Sequence, residues 1–294
     1  MTSFIARGRA PGAKRTVRRR AGAAKTWPAY TVLTVLAAFS IGPIVVLVFD
    51  SLKTDLEIGT NPLGPPLQHL RLSNFTDAWH QGAIGTTMLN SAIITAGTVV
   101  GVCFIAGLAA YALARLDLAG GSLVLGYLLF GTALPAQLFL VPLFSLWSRI
   151  GLYDTRLGLI IIYWAIFSPF ATLLMRSFLV SLPRDFEDAA RVDGSRELYV
   201  LTRIVLPLAW PGLLTVALIA GLTAWNEFFF AVTFIQSENK LPVVTSFLAF
   251  SQNYTRYWGL TCAAALIISL PVLFVFLALQ RRFVQGLSSG GLKG

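Results

Sequence analysis

The sequence predicts an all-α, polytopic membrane protein with six transmembrane helices and a cytoplasmic helix–turn–helix. Three observations carry that reading. Of 294 residues, 56% are hydrophobic and 12% charged, whereas a soluble domain carries about a quarter charged residues. Six apolar runs approach or exceed the roughly 20 residues that a bilayer crossing needs. Lysine and arginine are also distributed very unevenly among the segments between those runs.

The runs are Tyr30–Phe49, Met88–Ala114, Ser122–Trp147, Leu157–Leu179, Val205–Ile235 and Gly259–Gln280. The first follows a basic leader, but it is long for a signal-peptide core and has no small-residue cleavage site before Asp50, so it reads as an uncleaved span. Pro135 and Pro142 break the third run, Pro169 lies in the fourth, and Pro207 and Pro211 open the fifth. Spans tolerate such prolines where neighbouring helices or water satisfy the freed carbonyls. The helices are therefore expected to pack around one another.

Of the 23 Lys and Arg residues, eight precede Trp27 with no acid among them. Placing that end inside puts seventeen on the cytoplasmic side and leaves six outside: Lys53, Arg71, Arg149, Arg156, Lys240 and Arg256. The positive-inside rule then sets both termini in the cytoplasm. The expected organisation is a basic tail over residues 1–29, a six-helix domain over 30–280 containing a cytoplasmic loop at 181–206, and a tail over 281–294. The N-terminal tail serves as topology signal and can also meet acidic headgroups of the lipid bilayer.

The longest outside connection, Asp50 to Thr87, holds "NPLGPPLQHL", whose prolines and glycine predict an irregular, surface-lying segment. On the inside, Ser181–Leu206 reads as two short helices. Pro183 suits a first helical position, and Asp185, Glu187 and Asp188 complement the positive end of the dipole. Asp193-Gly194 stops the first helix, Ser195 is expected to cap the second through Ile204, and the Leu206-Pro207 step redirects the chain. With Arg176 just before the segment, five arginines face five acids here, interleaved with small Ala189, Ala190 and Gly194. A lipid-binding stretch would be one-sidedly basic; balanced charges with small residues fit a protein partner, whose surface approaches closely and is held in register.

Cys103 and Cys262 both fall inside apolar runs, and His69 and His80 are isolated in the first outside loop, so no disulfide framework or metal spacing is read. There is no G-x-x-x-x-G-K-[ST], no H-E-x-x-H and no G-x-S-x-G. An enzyme has little to stand on. A stand-alone secondary carrier or channel is the competing reading, but a carrier driven by protons or sodium places several ionisable groups within its spans. Here the clear candidate is Glu227, in "TAWNEFFF". Trp225, Asn226 and Glu227 offer an aromatic face, an amide and a carboxylate to a hydroxylated solute, or equally hold helices together.

Glu187-Asp188-Ala189-Ala190, Gly194 and Ile204-Val205-Leu206-Pro207 resemble the "EAA" loop of permease subunits in ABC importers. Asp188 stands at the usual glutamate position, with Glu187 before it. "SLKT", Asn90-Ser91, "AYALAR", "VPLFSLWSRIGLYDT", "AWNEFFF" and the C-terminal "QRRFVQGLSSGGLKG" resemble the carbohydrate-uptake branch, similar to the six-span maltose-type inner-membrane subunit. The resemblance implies a bacterial or archaeal inner-membrane protein that forms a sugar pathway with a second permease subunit. An extracytoplasmic solute-binding protein delivers substrate, and two ATPase subunits carry ATP and Mg, so this chain binds no cofactor, has no nucleic-acid partner and is not itself an enzyme. Glu187, Asp188, Ala189, Ala190, Arg191 and Gly194 would sit in the joint with the ATPase.

Overall fold

The computed structural model describes residues 27–67, 70–252 and 255–291; the leader and His69 lie outside them. The chain divides into two units, residues 1–45 and 46–294. Helix α1 (Trp27–Ser51) supplies all that is described of the first unit and runs into the second. It is apolar all round, as a span is, and Leu33, Leu36 and Phe39 are exposed.

In the second unit, α2 (Asp55–Thr60) and α3 (Ser73–Gln81) flank the proline-rich connection. The expectation of an irregular loop holds only between them. Thr54 caps α2 by accepting from the Glu57 amide at 3.2 Å, and Asn74 of α3 donates to the carbonyls of Ser51 and Lys53. Then come α4 (Ile84–Arg115), α5 (Gly121–Ala133), α6 (Leu140–Arg149) and α7 (Arg156–Ser181). The segment expected to be cytoplasmic forms α8 (Asp185–Val192), α9 (Glu197–Tyr199), π-type turns over Val200–Val205, and α10 (Leu206–Leu208). α11 (Trp210–Asn226), α12 (Phe229–Phe234) and α13 (Trp258–Gly291) complete the chain. A two-residue antiparallel bridge, Ser251–Gln252 with Thr255–Arg256, is a minor departure from an all-α chain.

Among the described residues four stretches are long and apolar enough to cross a membrane: Ala29–Ser51, Ile84–Arg115, Arg156–Ser181 and Trp258–Gln280. The third and fifth expected spans are not single rods. Gly121–Ala133 and Ala136–Arg149 meet at 92°, and Glu197–Leu208 and Trp210–Asn226 at 76°. The first bend falls at Leu134-Pro135, while Pro142 is absorbed in the first turn of α6, where its missing N–H leaves no bond unmade. The second bend falls at Ala209 rather than at Leu206-Pro207, because Pro207 and Pro211 each fit a first helical turn. The apolar run to Ile235 is interrupted as well, since α11 ends at Asn226.

α4 and α7 form the centre. Gly97 and Gly101 let α7 approach closely: a Cβ at Gly97 would stand 2.8 Å from Ile160 Cδ1, and one at Gly101 would enter the Trp164 indole. That indole donates to the Gly97 carbonyl at 2.9 Å. Val102, Ala106 and Ala110 of α4, Met175 and Leu179 of α7, and Val200, Val205 and Val216 build one buried cluster. Ile94, Trp147, Tyr163, Phe230 and Phe234 build another nearer the other end of α4.

Candidate functional site

The segment between α7 and α11 docks on the end of α4. α8 starts after Arg184, with Pro183 one residue outside the helix rather than in its first position. Asp185, Glu187 and Asp188 occupy the first turn as expected. The helix closes in a Schellman turn: the Gly194 amide donates to Arg191 O and the Ser195 amide to Ala190 O, both at 3.0 Å. Ser195 is thereby spent on ending α8, and Arg196 precedes the next helix without a side-chain cap. Gly194 has φ +78°, and a Cβ there would meet nothing. The turn's left-handed backbone therefore accounts for the glycine, whether or not a partner approaches.

The candidate joint residues divide between two faces. Glu187 is buried, its Oε1 2.8 Å from Arg115 Nε and its Oε2 3.6 Å from Arg191 Nη2. Asp188, one residue on, has a side chain 63% exposed and pairs with Arg191 Nη1 at 3.0 Å. Ala190 packs inward against the α4–α7 cluster, while Ala189 is exposed. Arg191 also donates to Glu197 Oε1 at 2.8 Å, and the Tyr111 hydroxyl donates to Glu197 Oε2. Arg176 and Arg184 donate to the carbonyls of Leu113 and Ala114, capping the negative end of α4. Phe186, Val192, Leu198 and Tyr199 are exposed on this segment, Val192 at 87%. In the sequence Tyr111 and Arg115 stand out only as part of "AYALAR", which gives neither of them a role; the structure makes them the partners of Glu197 and Glu187.

The second candidate group separates. Glu227 stands after α11, outside any helix, and its carboxylate accepts from the amides of Phe230 and Ala231 at 3.0 and 3.2 Å and from the Tyr163 hydroxyl at 2.8 Å. It caps α12 and ties it to α7, which is structural employment for a carboxylate at this depth. Asn226 is exposed and donates to Leu222 O. Trp225 faces the other way, into an apolar cavity of about 450 Å³ between α4, α11 and α13. Its Nε1 and the Thr95 Oγ1 in the same lining have no hydrogen-bond partner among the described residues.

At the opposite end of α7, Asp154 (φ +55°) latches the α6–α7 turn to the segment after α12. Its carboxylate accepts from the amides of Gln236 and Ser237, each at 2.9 Å, from the Ser237 hydroxyl, and from Lys240 Nζ at 2.9 Å. Burial by itself pushes the carboxyl up, but the Ser237 hydroxyl and amide, Lys240 and the Gln236 amide outweigh it and hold it well below the usual range. A carboxyl depressed by folding contributes stability above its unfolded value and loses it as pH falls toward its folded one. Asp154→Asn, which tolerates positive φ, is expected to cost about 1–3 kcal/mol at neutral pH. Its deficit relative to the parent should shrink in thermal melts taken at decreasing pH from about 5 downward; a deficit independent of pH counts against the latch.

A family model described as "Binding-protein-dependent transport system inner membrane component" matches residues 104–289. A probable ABC transporter permease protein of Bacillus subtilis is 36% identical over 86% of this chain and 83% of its own length. The chain belongs to this family. Other relatives of this inner-membrane component are a diacetylchitobiose uptake system permease protein of Streptomyces coelicolor, 33% identical over 89% of this chain and 87% of its own, and a melibiose/raffinose/stachyose import permease protein of Bacillus subtilis, 30% identical over 94% and 100%. In fold the component is similar to a chain of a bacterial ABC transporter that imports the acidic polysaccharide alginate, with TM-score 0.74 and 23% identity over 93% of this chain and 100% of that one. The inner-membrane component is thus a multi-pass membrane protein of the binding-protein-dependent transport family.

Proposed function

We propose that this chain is one of two permease subunits lining the pathway of an ATP-driven importer for a sugar or related polyhydroxylated solute, with both termini in the cytoplasm. A solute-binding protein delivers the solute outside. Two ATPase subunits bind ATP and Mg inside and act on this chain through α8 and the turn at Gly194. The names of relatives that take up diacetylchitobiose and import melibiose, raffinose and stachyose support the solute class.

The observation that carries the reading is the set of exposed apolar side chains on α8 and α9. Phe186, Val192, Leu198 and Tyr199 stand exposed on a segment whose inner face is bolted to α4 by Glu187–Arg115. Apolar anchors rimmed by charges are what a protein interface uses. Asp188 is on the exposed side, so the shortened acid at the usual glutamate position is the one available to an ATPase.

Val192 is the position to test, since Ala190 packs inward and Gly194 is fixed by its φ. Val192→Glu is expected to weaken ATPase attachment by about tenfold or more, as truncating an interface anchor does, without changing the melting of the isolated chain. Co-purification with tagged ATPase and solute-stimulated hydrolysis measure it. Unchanged attachment and stimulation would remove this face from the joint.

A further inference from the structure

We infer that α4 is a rigid strut that conveys displacement of the ATPase-facing segment to the segment Asn239–Ser246 at its other end, with Asn90 and Ser91 as the positioning residues there. This rests on the proposed docking of ATPase subunits at α8.

α4 is suited to the task by its build. It has 32 residues and no proline, a length of about 48 Å at 1.5 Å per residue. The other long helices each carry one inside, Pro43, Pro169 and Pro271, where a ladder bond is missing and bending is easier. Its glycines at 97 and 101 are pressed against Ile160 and Trp164 of α7 rather than left open.

Both ends are gripped, and by different segments. Over the final turn, Tyr111 bonds Glu197, Leu113 O accepts from Arg176, Ala114 O accepts from Arg184, and Arg115 pairs with Glu187 and donates to Leu182 O at 3.1 Å. Near the start, Asn90 Nδ2 donates to the carbonyls of Asn239 and Leu241 at 3.0 and 2.9 Å. Ser91 Oγ accepts from the Val243 amide at 2.8 Å, and Thr87 meets Ser246 at 3.0 Å. These three side chains are buried, which limits competition from water for the bonds. The gripped segment continues through Lys240 into the Asp154 latch, which joins it to the start of α7. A shift of α8 along the α4 axis is therefore delivered to a segment about seven turns away, through one continuous helix.

The test uses the full complex with its partner permease, ATPase and binding-protein subunits in nanodiscs. Cys103 and Cys262 are replaced by Ala, and spin labels are placed at Thr76 and Leu248, both exposed. ATP trapping should shift the distance between labels in the parent. In Asn90→Ala/Ser91→Ala the shift should vanish, and import per ATP hydrolysed should fall at least about fivefold, the low end of couplings between sites. Ser91→Ala alone, which removes one bond and spares the fold, should reduce the shift partway. A full shift in the double variant, or none in the parent, overturns the strut. If instead Val192→Glu leaves attachment and import intact, it is the docking reading that fails, whatever the distances do.

Discussion

Arg115→Met is expected to be among the most damaging single changes to this chain, and a partner change should largely rescue it. Arg115 and Glu187 are both almost wholly buried and lie 2.8 Å apart. Removing one partner of a buried pair costs about 3–5 kcal/mol, because the other charge is left without compensation. Arg191 does not fill the gap: its nearest guanidinium nitrogen is 3.6 Å from Glu187, and it is engaged with Asp188 and Glu197. Replacing both partners with apolar side chains of similar size removes the orphaned charge along with the attraction, and is often close to neutral. Arg115→Met/Glu187→Leu should therefore melt closer to the parent than either Arg115→Met or Glu187→Leu does. Additive losses in the double variant would mean the two residues act independently. The exposed pair Arg191–Asp188 gives the contrast, since Asp188→Asn should cost no more than about 1 kcal/mol.

That contrast shows what a sequence discloses and what it withholds. The crossings α1, α4, α7 and α13 were legible because apolarity over twenty residues is a local property. The capped stop at Gly194 was legible too, since a left-handed residue after a helix is a demand that glycine answers. The bends were not legible in position. Several prolines competed, and which one breaks a helix depends on whether its missing N–H falls in a first turn, as at Pro142 and Pro211. The division of labour between Glu187 and Asp188 was equally hidden. Adjacent acids in a charged stretch look alike until Arg115, more than seventy positions earlier, is placed beside one of them. Glu227 read as a lone intramembrane charge; its partners are two amides three and four residues on and a tyrosine on another helix.

Two glycines of α4 should respond in opposite ways to the same substitution, and the difference tests the α4–α7 packing on which the whole arrangement depends. Gly→Ala inside a helix gains up to about 1 kcal/mol from propensity alone. At Gly107 the added methyl would lie 3.8 Å from Leu206 Cδ2, an ordinary contact, so Gly107→Ala should be neutral or slightly stabilising. At Gly101 the methyl would enter the Trp164 indole, and that ring cannot swing away without losing its bond to Gly97 O. Overpacking of this kind costs about 1–3 kcal/mol, which outweighs the propensity gain, and Gly101→Val should exceed it. Because α4 and α7 share their principal buried cluster along this contact, the loss should appear as lower yield of folded protein and earlier melting, not as a change confined to transport. Trp164→Phe, with a smaller ring, should recover part of the stability in the Gly101→Ala background while destabilising the parent. Equal effects of alanine at 101 and 107 would mean that the helices are not in contact at Gly101.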